Sequence, residues 1–184
     1  MKGRALAIAR FQPFHIGHQR QIQILKEDGY EKIIVVIGSA EKSHEIDNPF
    51  TCDERIEMVN SVLKDEGFKK YFIVPIKDVD DDDLWVSLVV NLAPKFDVVY
   101  SCNHLVIELF KKVGYKIVEI KSAPMIFHDE ISGKSVEVTG TAIREMIVHD
   151  NPMWKKLVPK TVYEKILEFD GVERIKKLFA TSHP

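Results

Sequence analysis

Short apolar runs alternate with amphipathic segments along the chain up to about residue 120. The runs are rich in Ile, Val and Phe and are typical of buried strands, whereas the segments between them have the apolar spacing of helices. The predicted strands are Ala5–Ala9, Lys32–Gly38, Tyr71–Pro75, Asp97–Ser101 and Tyr115–Ile120. The predicted helices are near His18–Lys26, Asp53–Leu63, Leu84–Leu92 and Leu105–Val113. This alternation implies parallel strands with right-handed crossovers, so the predicted fold is α/β with a doubly wound parallel sheet.

The pattern changes in the last third of the chain. Residues 121–138 contain a proline, a glycine and several polar positions, and predict a long loop or an irregular hairpin. A helix begins after Thr139, and two terminal helices separated by Gly171 are predicted at Thr161–Phe169 and Val172–Phe179. Because the sequence contains neither a repeat nor a linker, we expect one domain over residues 1–184. Its sheet and helices would extend to about residue 138, and a helical C-terminal part would begin at about 139.

Composition and net charge limit the partners and the location that we expect for the protein. The chain has 184 residues, is 45% hydrophobic and 29% charged, and carries a formal net charge of −2. This near-neutral balance argues against broad nucleic-acid binding. Apolar runs long enough for a membrane span and a signal peptide are both lacking from the sequence. We therefore expect a cytoplasmic protein that has neither a nucleic-acid nor a membrane partner.

The most informative stretch directly follows the first predicted strand, where a turn leads into a helix start. It reads Arg10-Phe11-Gln12-Pro13-Phe14-His15-Ile16-Gly17-His18. Helix N-termini bind anions because their N–H groups are unpaired and the positive end of the dipole lies there. Gly17 leaves room for a triphosphate to approach the backbone. His15 and His18 share one face if the turn is helical.

Three readings of the two histidines stay open at this point. Their N–H groups could stabilise charge on a phosphorus centre. Alternatively, one ring caps the helix while the other lies at the surface. The third reading is a metal site, for which His44 and Glu45 are candidate further ligands. The two cysteines, Cys52 and Cys102, have no metal-like spacing.

Two further elements could bind a nucleotide. Thr139, Gly140 and Thr141 open a helix and could donate to a phosphate, with Arg144 supplying a fixed charge. An ordinary N-cap followed by a surface arginine explains the same pattern. The acidic run from Asp78 to Asp83 is typical of a solvated loop. Trp85, just after that run, fits either a core position or a wall on which a cationic aromatic ligand stacks.

Several blocks, in order, resemble one family. The opening stretch is similar to that of the nucleotidyltransferases with a His-x-Gly-His element, and later blocks resemble the archaeal-type nicotinamide-nucleotide adenylyltransferases. These later blocks are Gly38–His44, Asn48–Thr51, Glu54–Ile56, Leu84–Ser87, Phe96–Ser101, Leu157–Lys160 and Gly171–Ile175. The resemblance implies a Rossmann-like nucleotidyltransferase fold followed by C-terminal helices.

The resemblance also implies a reaction. AMP would pass from ATP to nicotinamide mononucleotide by direct attack on the α-phosphorus, giving NAD and pyrophosphate. Mg²⁺ would be held mainly by phosphate oxygens, without a protein metal site, and the protein would be a homo-oligomer, a hexamer. The nearest alternative is nucleotidyl transfer to FMN or a phosphopantetheine. A catalytically silent nucleotide-binding module and a zinc enzyme are more distant alternatives.

Site residues follow from the same resemblance. Catalytic roles would belong to His15, His18 and Arg144. The ATP phosphates would be bound by Arg10, Phe11, Gly17, Thr139, Gly140 and Thr141. The nicotinamide nucleotide would be bound by Ser39, Val79, Asp82 and Trp85, with the indole stacking on the nicotinamide ring and the backbone near Val79 recognising the carboxamide. Asp82 departs from the asparagine usual in the family. The acidic loop predicts a preference for the cationic nicotinamide form over the nicotinate form, whose carboxylate it would repel.

Overall fold

The computed structural model describes residues 2–120 and 125–182. Contacts group the described residues into two compact units. Of these residues, unit 1 contains 2–10, 20–41 and 63–120, and unit 2 contains 11–19, 42–62 and 125–182. Neither described range includes a helix long and apolar enough to cross a membrane.

Unit 1 contains a five-stranded parallel sheet with the order β3-β2-β1-β4-β5. Its strands are β1 Ala5–Ala9, β2 Lys32–Ile37, β3 Lys70–Pro75, β4 Val98–Ser101 and β5 Lys116–Glu119. The order reverses between β1 and β4, which is the switch point where doubly wound sheets bind ligands at the carboxyl ends of their strands. The doubly wound α/β fold predicted from the sequence is confirmed.

Four helices alternate with these strands in the chain. They are α1 Ile16–Glu27, α2 Cys52–Asp65, α3 Asp82–Leu92 and α4 His104–Lys112. Helix α3 begins two residues before the predicted start, because the Asp81 carboxylate accepts a hydrogen bond from the Leu84 N–H at 2.8 Å and caps the helix. The acidic run is therefore partly a helix cap as well as a solvated loop.

One core cluster of unit 1 is built from the sheet and from helices α3 and α4. The side chains of Leu6, Ile34 and Val99 are fully buried in the same cluster as Val89 of α3 and Phe110 of α4. These strands are apolar at successive positions, as expected for parallel strands covered on both faces. The loops of unit 1 that follow β2 and β3 leave the sheet at its carboxyl edge.

Unit 2 includes a short hairpin and a helical C-terminal part. The antiparallel strands are β6 Ile126–His128 and β7 Ser135–Glu137. They are followed by α5 Gly140–Val148, a 3-10 helix Pro152–Lys156, α6 Lys160–Glu168 and α7 Gly171–Ser182. Of the two alternatives for residues 121–138, the hairpin is therefore confirmed, while residues 121–124 lie outside the described residues.

Two features of unit 2 differ from the prediction. The 3-10 helix has no counterpart in the apolar pattern, and Asn151 caps it by accepting from the Met153 N–H at 3.0 Å. Gly171 was expected to separate the last two helices, but it is the first residue of α7, and Asp170 takes the left-handed conformation at the junction with φ 53°. A Cβ at position 171 would lie 2.6 Å from Phe50 Cε1, so the glycine serves close packing.

Candidate active site

The turn after β1 is fixed by backbone geometry and a buried amide. Phe11 has φ 56°, an uncommon conformation for a residue with a side chain. Gln12 follows and is only 5% exposed. Its side-chain amide donates to the Phe50 carbonyl at 3.0 Å and accepts from the Phe50 N–H at 2.9 Å. The turn is therefore tied to the segment that precedes α2.

His15 and His18 lie together at the start of α1. Their ring centroids are 3.7 Å apart and the planes differ by 25°, which confirms that the two side chains share one face. The His15 backbone N–H donates to His18 Nδ1 at 3.3 Å. Nδ1 of a neutral His18 ring therefore carries the lone pair, and the proton resides on Nε2.

Both histidines are poorly solvated. Burial lowers the pKa of His15 to about 4. Burial, with a smaller contribution from the neighbouring His15, holds the pKa of His18 well below its usual value. Phe11 and Phe14 contribute to this environment, since their ring centroids lie 4.7 and 5.3 Å from that of His18. Both rings are neutral at neutral pH, so each can offer one N–H donor but no positive charge.

Gly17 allows close packing against the His15 ring, which the sequence did not reveal. A Cβ at this position would lie 2.9 Å from His15 Nδ1 and 3.0 Å from His15 Cε1. The glycine therefore allows the His15 ring to lie against the first turn of α1. His15 Nδ1 is buried and has no hydrogen-bond partner among the described residues, which leaves Nε2 as the ring atom available to a ligand.

Arg144 is buried, so the alternative of a surface arginine is wrong. The residue is 7% exposed. Its Nη1 donates to the Gln12 carbonyl at 2.8 Å, and its Nη2 donates to Asp47 Oδ1 at 2.7 Å and to Thr141 Oγ1 at 3.3 Å. A buried guanidinium held by three oxygens has a fixed position from which to act on an anion.

The start of α5 approaches the same turn. Thr139 caps the helix by accepting from the Ala142 N–H at 3.1 Å, which confirms the predicted N-cap. A Cβ at Gly140 would lie 2.8 Å from the Gln12 carbonyl oxygen and 3.3 Å from Arg144 Nη1. Unit 2 thus brings Thr139, Gly140 and Arg144 to the turn that leads to the two histidines.

Sequence reasoning missed two residues of this arrangement. Gln12 joins Arg144 to Phe50, and the Asp47 carboxylate pairs with Arg144 while its own side chain is 66% exposed. The position of Gln12, a polar residue that has aromatic and proline neighbours, was an available signal of a buried amide. Asp47 gave no such signal, because its partner lies 97 residues further along the chain.

The candidate residues of unit 1 lie near the carboxyl ends of its strands. Arg10 directly follows β1 and is exposed, and Ser39 follows β2 with φ 49°. The Ser39 hydroxyl donates to Asp78 Oδ1 at 3.1 Å, and the Asp78 N–H donates to Glu41 Oε2 at 3.1 Å. The loops after β2 and β3 are therefore joined by hydrogen bonds at this edge of the sheet.

Trp85 occupies a position between the core and the surface. It lies in the first half of α3, is partly buried, and its ring centroid is 6.3 Å from that of Phe110 in an edge-to-face arrangement. Val79 precedes the helix and Asp82 is its first residue, with an exposed carboxylate. The arrangement is compatible with both readings of Trp85, because a partly exposed indole with an aromatic support can also carry a stacked ligand.

Unit 2 gives no support to a zinc site at His44 and Glu45. Within residues 2–120 and 125–182, no group of three or more His, Cys, Asp or Glu side chains is arranged to hold a metal ion. The described contact of the His44 ring is with the Ser43 hydroxyl, 3.2 Å from Nδ1. Glu45 accepts instead from the Asn48 amide at 3.2 Å.

Known proteins resemble this chain over nearly its whole length. The cytidylyltransferase-like family matches residues 6–146. The nicotinamide-nucleotide adenylyltransferase of Methanococcus aeolicus is 46% identical over 177 residues, which cover 95% of this chain and 94% of that protein. The protein of the same name from Thermoplasma volcanium is 47% identical over 180 residues, covering 97% of this chain and 93% of its own length.

Solved structures share the fold. A bifunctional NMN adenylyltransferase/ADP ribose pyrophosphatase from Francisella tularensis, complexed with AMP and a Mn ion, superposes with a TM-score of 0.68 at 22% identity. The match covers 98% of this chain and 52% of that one, so this chain spans about half its length. Plasmodium falciparum nicotinic acid mononucleotide adenylyltransferase gives a TM-score of 0.58 at 11% identity, covering 94% and 98%. The chain belongs to the cytidylyltransferase-like family, within its branch of archaeal nicotinamide-nucleotide adenylyltransferases.

Proposed function

We propose that the protein transfers AMP from ATP to nicotinamide mononucleotide and forms NAD and pyrophosphate. A phosphate oxygen of the mononucleotide forms a bond to the α-phosphorus of ATP. The bond from that phosphorus to the oxygen bridging to the β-phosphate breaks, and pyrophosphate leaves with the bonding electrons. The observation that carries this proposal is the near full-length similarity to archaeal enzymes of that name.

The two histidines supply hydrogen bonds in this proposal. Transfer at phosphorus depends mainly on positioning and on stabilising the charge of the phosphate oxygens. Neutral His15 and His18 suit that task, because a neutral ring donates one N–H without titrating near neutral pH. The bond from the His15 N–H to His18 Nδ1 supports His18 Nε2 as the donor. Neither ring acts as a general base, since the attacking phosphate is already ionised.

Arg144 neutralises phosphate charge in this proposal. Its hydrogen bond to the Gln12 carbonyl sets the position of the guanidinium. Asp47 is the contact that a phosphate group would replace most easily, because its carboxylate is mostly exposed. The start of α5, with Thr139, Gly140 and Thr141, adds backbone and hydroxyl donors to the same phosphates. Arg10, Phe11 and Gly17 complete the proposed ATP-binding residues.

A divalent ion, Mg²⁺, accompanies ATP in this proposal. We propose that phosphate oxygens and water hold most of this ion's coordination positions, the usual behaviour of Mg²⁺ at nucleotide sites. When bound, the ion would neutralise phosphate charge and favour the departure of pyrophosphate. The role of Arg144 is then to neutralise the charge that remains on the phosphates.

The acceptor is recognised by the residues of unit 1. We propose that Trp85 stacks on the cationic nicotinamide ring, supported from behind by Phe110. Ser39 and the backbone near Val79 contribute polar contacts, and Asp82 replaces the usual asparagine. Carboxylates of the acidic loop favour the amidated nucleotide over the nicotinate form, because the latter carries one more negative charge.

An acceptor panel tests the function. Purified protein would be supplied with ATP, Mg²⁺ and one of four acceptors: nicotinamide mononucleotide, nicotinate mononucleotide, FMN or phosphopantetheine. We expect NAD and pyrophosphate in equal amounts with the first acceptor and no dinucleotide with FMN or phosphopantetheine. A protein that adenylated only FMN or phosphopantetheine would have another function. Light scattering on the same sample tests the hexamer that the resemblance implies.

A further inference from the structure

Arg174, in the first turn of α7, binds Glu54 and the segment that precedes α2. Arg174 Nη1 donates to Glu54 Oε2 at 2.6 Å and to the Pro49 carbonyl at 3.1 Å. Its Nη2 donates to Glu54 Oε1 at 2.8 Å and to the Phe169 carbonyl at 2.9 Å. One guanidinium thus joins two helices and two loop carbonyls, and its side chain is 20% exposed.

Close packing reinforces this contact. Gly171 lies so near to Phe50 that a Cβ at position 171 would be 2.6 Å from the ring atom Cε1. The Arg174 guanidinium carbon is 6.0 Å from the centroid of the same ring. Phe50 itself is fully buried. Gly171 and Arg174, on one turn of α7, therefore lie against the Phe50 ring, and Arg174 also binds the Pro49 carbonyl.

The held segment is the one that positions Gln12. Both backbone groups of Phe50 bond to the Gln12 side-chain amide, and the Gln12 backbone carbonyl accepts from Arg144 Nη1 at 2.8 Å. Glu54 also accepts from the Thr51 N–H at 2.8 Å, which adds a second tie within the segment. A continuous series of direct contacts leads from Arg174 to the guanidinium of Arg144.

Opposite charges stabilise the Arg174–Glu54 pair, with which this series of contacts begins. Burial raises the pKa of the Glu54 carboxyl, but hydrogen bonds from Arg174 and from Thr51 outweigh it and hold the pKa below its usual value. The carboxylate is therefore ionised and bidentate, the geometry in which an arginine fixes a partner most firmly. A lysine has a single donor centre and would not reproduce all four contacts.

We propose that Arg174 is a positioning residue for adenylyl transfer, which acts through Glu54, Phe50 and Gln12 to orient Arg144 toward the phosphates of ATP. This rests on the proposed function, in which Arg144 binds those phosphates. The block Gly171–Ile175 thereby gains a role: it aligns a phosphate-binding group from a helix more than 20 residues further along the chain. Arg174 itself need not touch the substrate.

Three single variants test the proposal by steady-state kinetics. Arg174→Met removes the charge and the donors, and Arg174→Lys keeps the charge. Lys165→Met is the matched control, because Lys165 makes an ion pair with Glu57 at 2.8 Å and has no part in the series of contacts. We expect Arg174→Met to lower kcat/KM for ATP about tenfold, Arg174→Lys about threefold, and the control less than about twofold, since misplacement of a binding group by a fraction of an ångström suffices for such losses.

A double variant separates positioning from stability. In an Arg144→Lys background the Arg174→Met change should have no further effect on kcat/KM for ATP, because both act through the same group. An equal effect in both backgrounds, or equal losses in Arg174→Met and Lys165→Met, would overturn the proposal. If Arg174→Met does not fold, Glu54→Gln replaces it under the same criteria. Failure of the proposed function is seen separately, as the absence of NAD from the wild-type protein.

Discussion

The partly buried His15 ring makes the stability of the protein depend on pH. In the folded protein its pKa is about 4, because burial disfavours the charged ring, whereas the unfolded chain has the ordinary value of 6.5. Protons therefore bind preferentially to the unfolded chain as pH falls below 6.5. Stability contributed by the neutral ring is complete above that pH and is lost between the two pKa values. His18 acts in the same direction, because its pKa is also lowered.

The size of the effect follows from the two pKa values. A difference of 2.5 units, from 6.5 to about 4, corresponds to a maximum of about 3 kcal/mol in the free energy of unfolding. Between about pH 7.5 and about pH 5.0 the expected loss from His15 alone is about 2 kcal/mol, because at the lower pH the unfolded ring is almost fully protonated and the folded ring is not. This is a large fraction of the stability of a typical domain.

Urea unfolding at the two pH values measures this loss. The variant His15→Gln removes the titrating group, and His104→Gln, at an exposed position, is the control. We expect the unfolding free energy of His15→Gln to fall about 2 kcal/mol less between the two pH values than that of the wild type. His104→Gln should follow the wild type. Equal pH dependence in the wild type and His15→Gln would refute the burial of a neutral His15. A uniform loss of stability from the substitution itself does not affect the comparison.

Three further predictions concern catalysis. Gly140→Ala places a Cβ 2.8 Å from the Gln12 carbonyl oxygen, so we expect kcat/KM for ATP to fall at least about tenfold by steady-state kinetics, and an unchanged value would contradict the close approach. Trp85→Ala should raise KM for nicotinamide mononucleotide about tenfold, since stacking of a cation on a desolvated indole contributes about 1–2 kcal/mol. KM for ATP should stay within about twofold. Equal rises in both KM values would indicate a general packing role for Trp85. Competition between nicotinamide and nicotinate mononucleotides should favour the amidated form, and equal or greater efficiency with the nicotinate form would exclude an electrostatic role of the acidic loop.

The fold was largely predictable because buried strands are recognisable from short apolar stretches of the sequence. Strands β1, β2 and β4 are mostly buried and therefore stand out as apolar runs, whereas β3 and β5 are more exposed. The start of α3 was missed because a run of aspartates resembles a solvated loop, although Asp81 also serves as a helix cap. The role of Gly171 was missed for a different reason. Its constraint comes from Phe50, which is distant in sequence.

The candidate site was predictable where its residues are neighbours in sequence. His15 and His18 share a helix turn, and the Thr139 cap forms within one turn of α5. Burial of Arg144 was not predictable, because its partner Gln12 lies 132 residues away. Nothing local distinguishes an arginine held by a distant carbonyl from one at the surface. Long-range pairing of this kind also explains why the contacts of Gln12 and Asp47 with Arg144 were not predictable from the sequence.

Parallel measurement of NAD formation and ATP binding by the wild-type protein and a His18→Ala variant tests the central claim most directly. With ATP, Mg²⁺ and nicotinamide mononucleotide, the wild type should form NAD and pyrophosphate in equal amounts. The variant should bind ATP within a few-fold of the wild type but turn over at least about 100-fold more slowly, because the ring acts chiefly on the transition state. Unchanged turnover in the variant, or a wild-type protein that forms no NAD, would contradict the account.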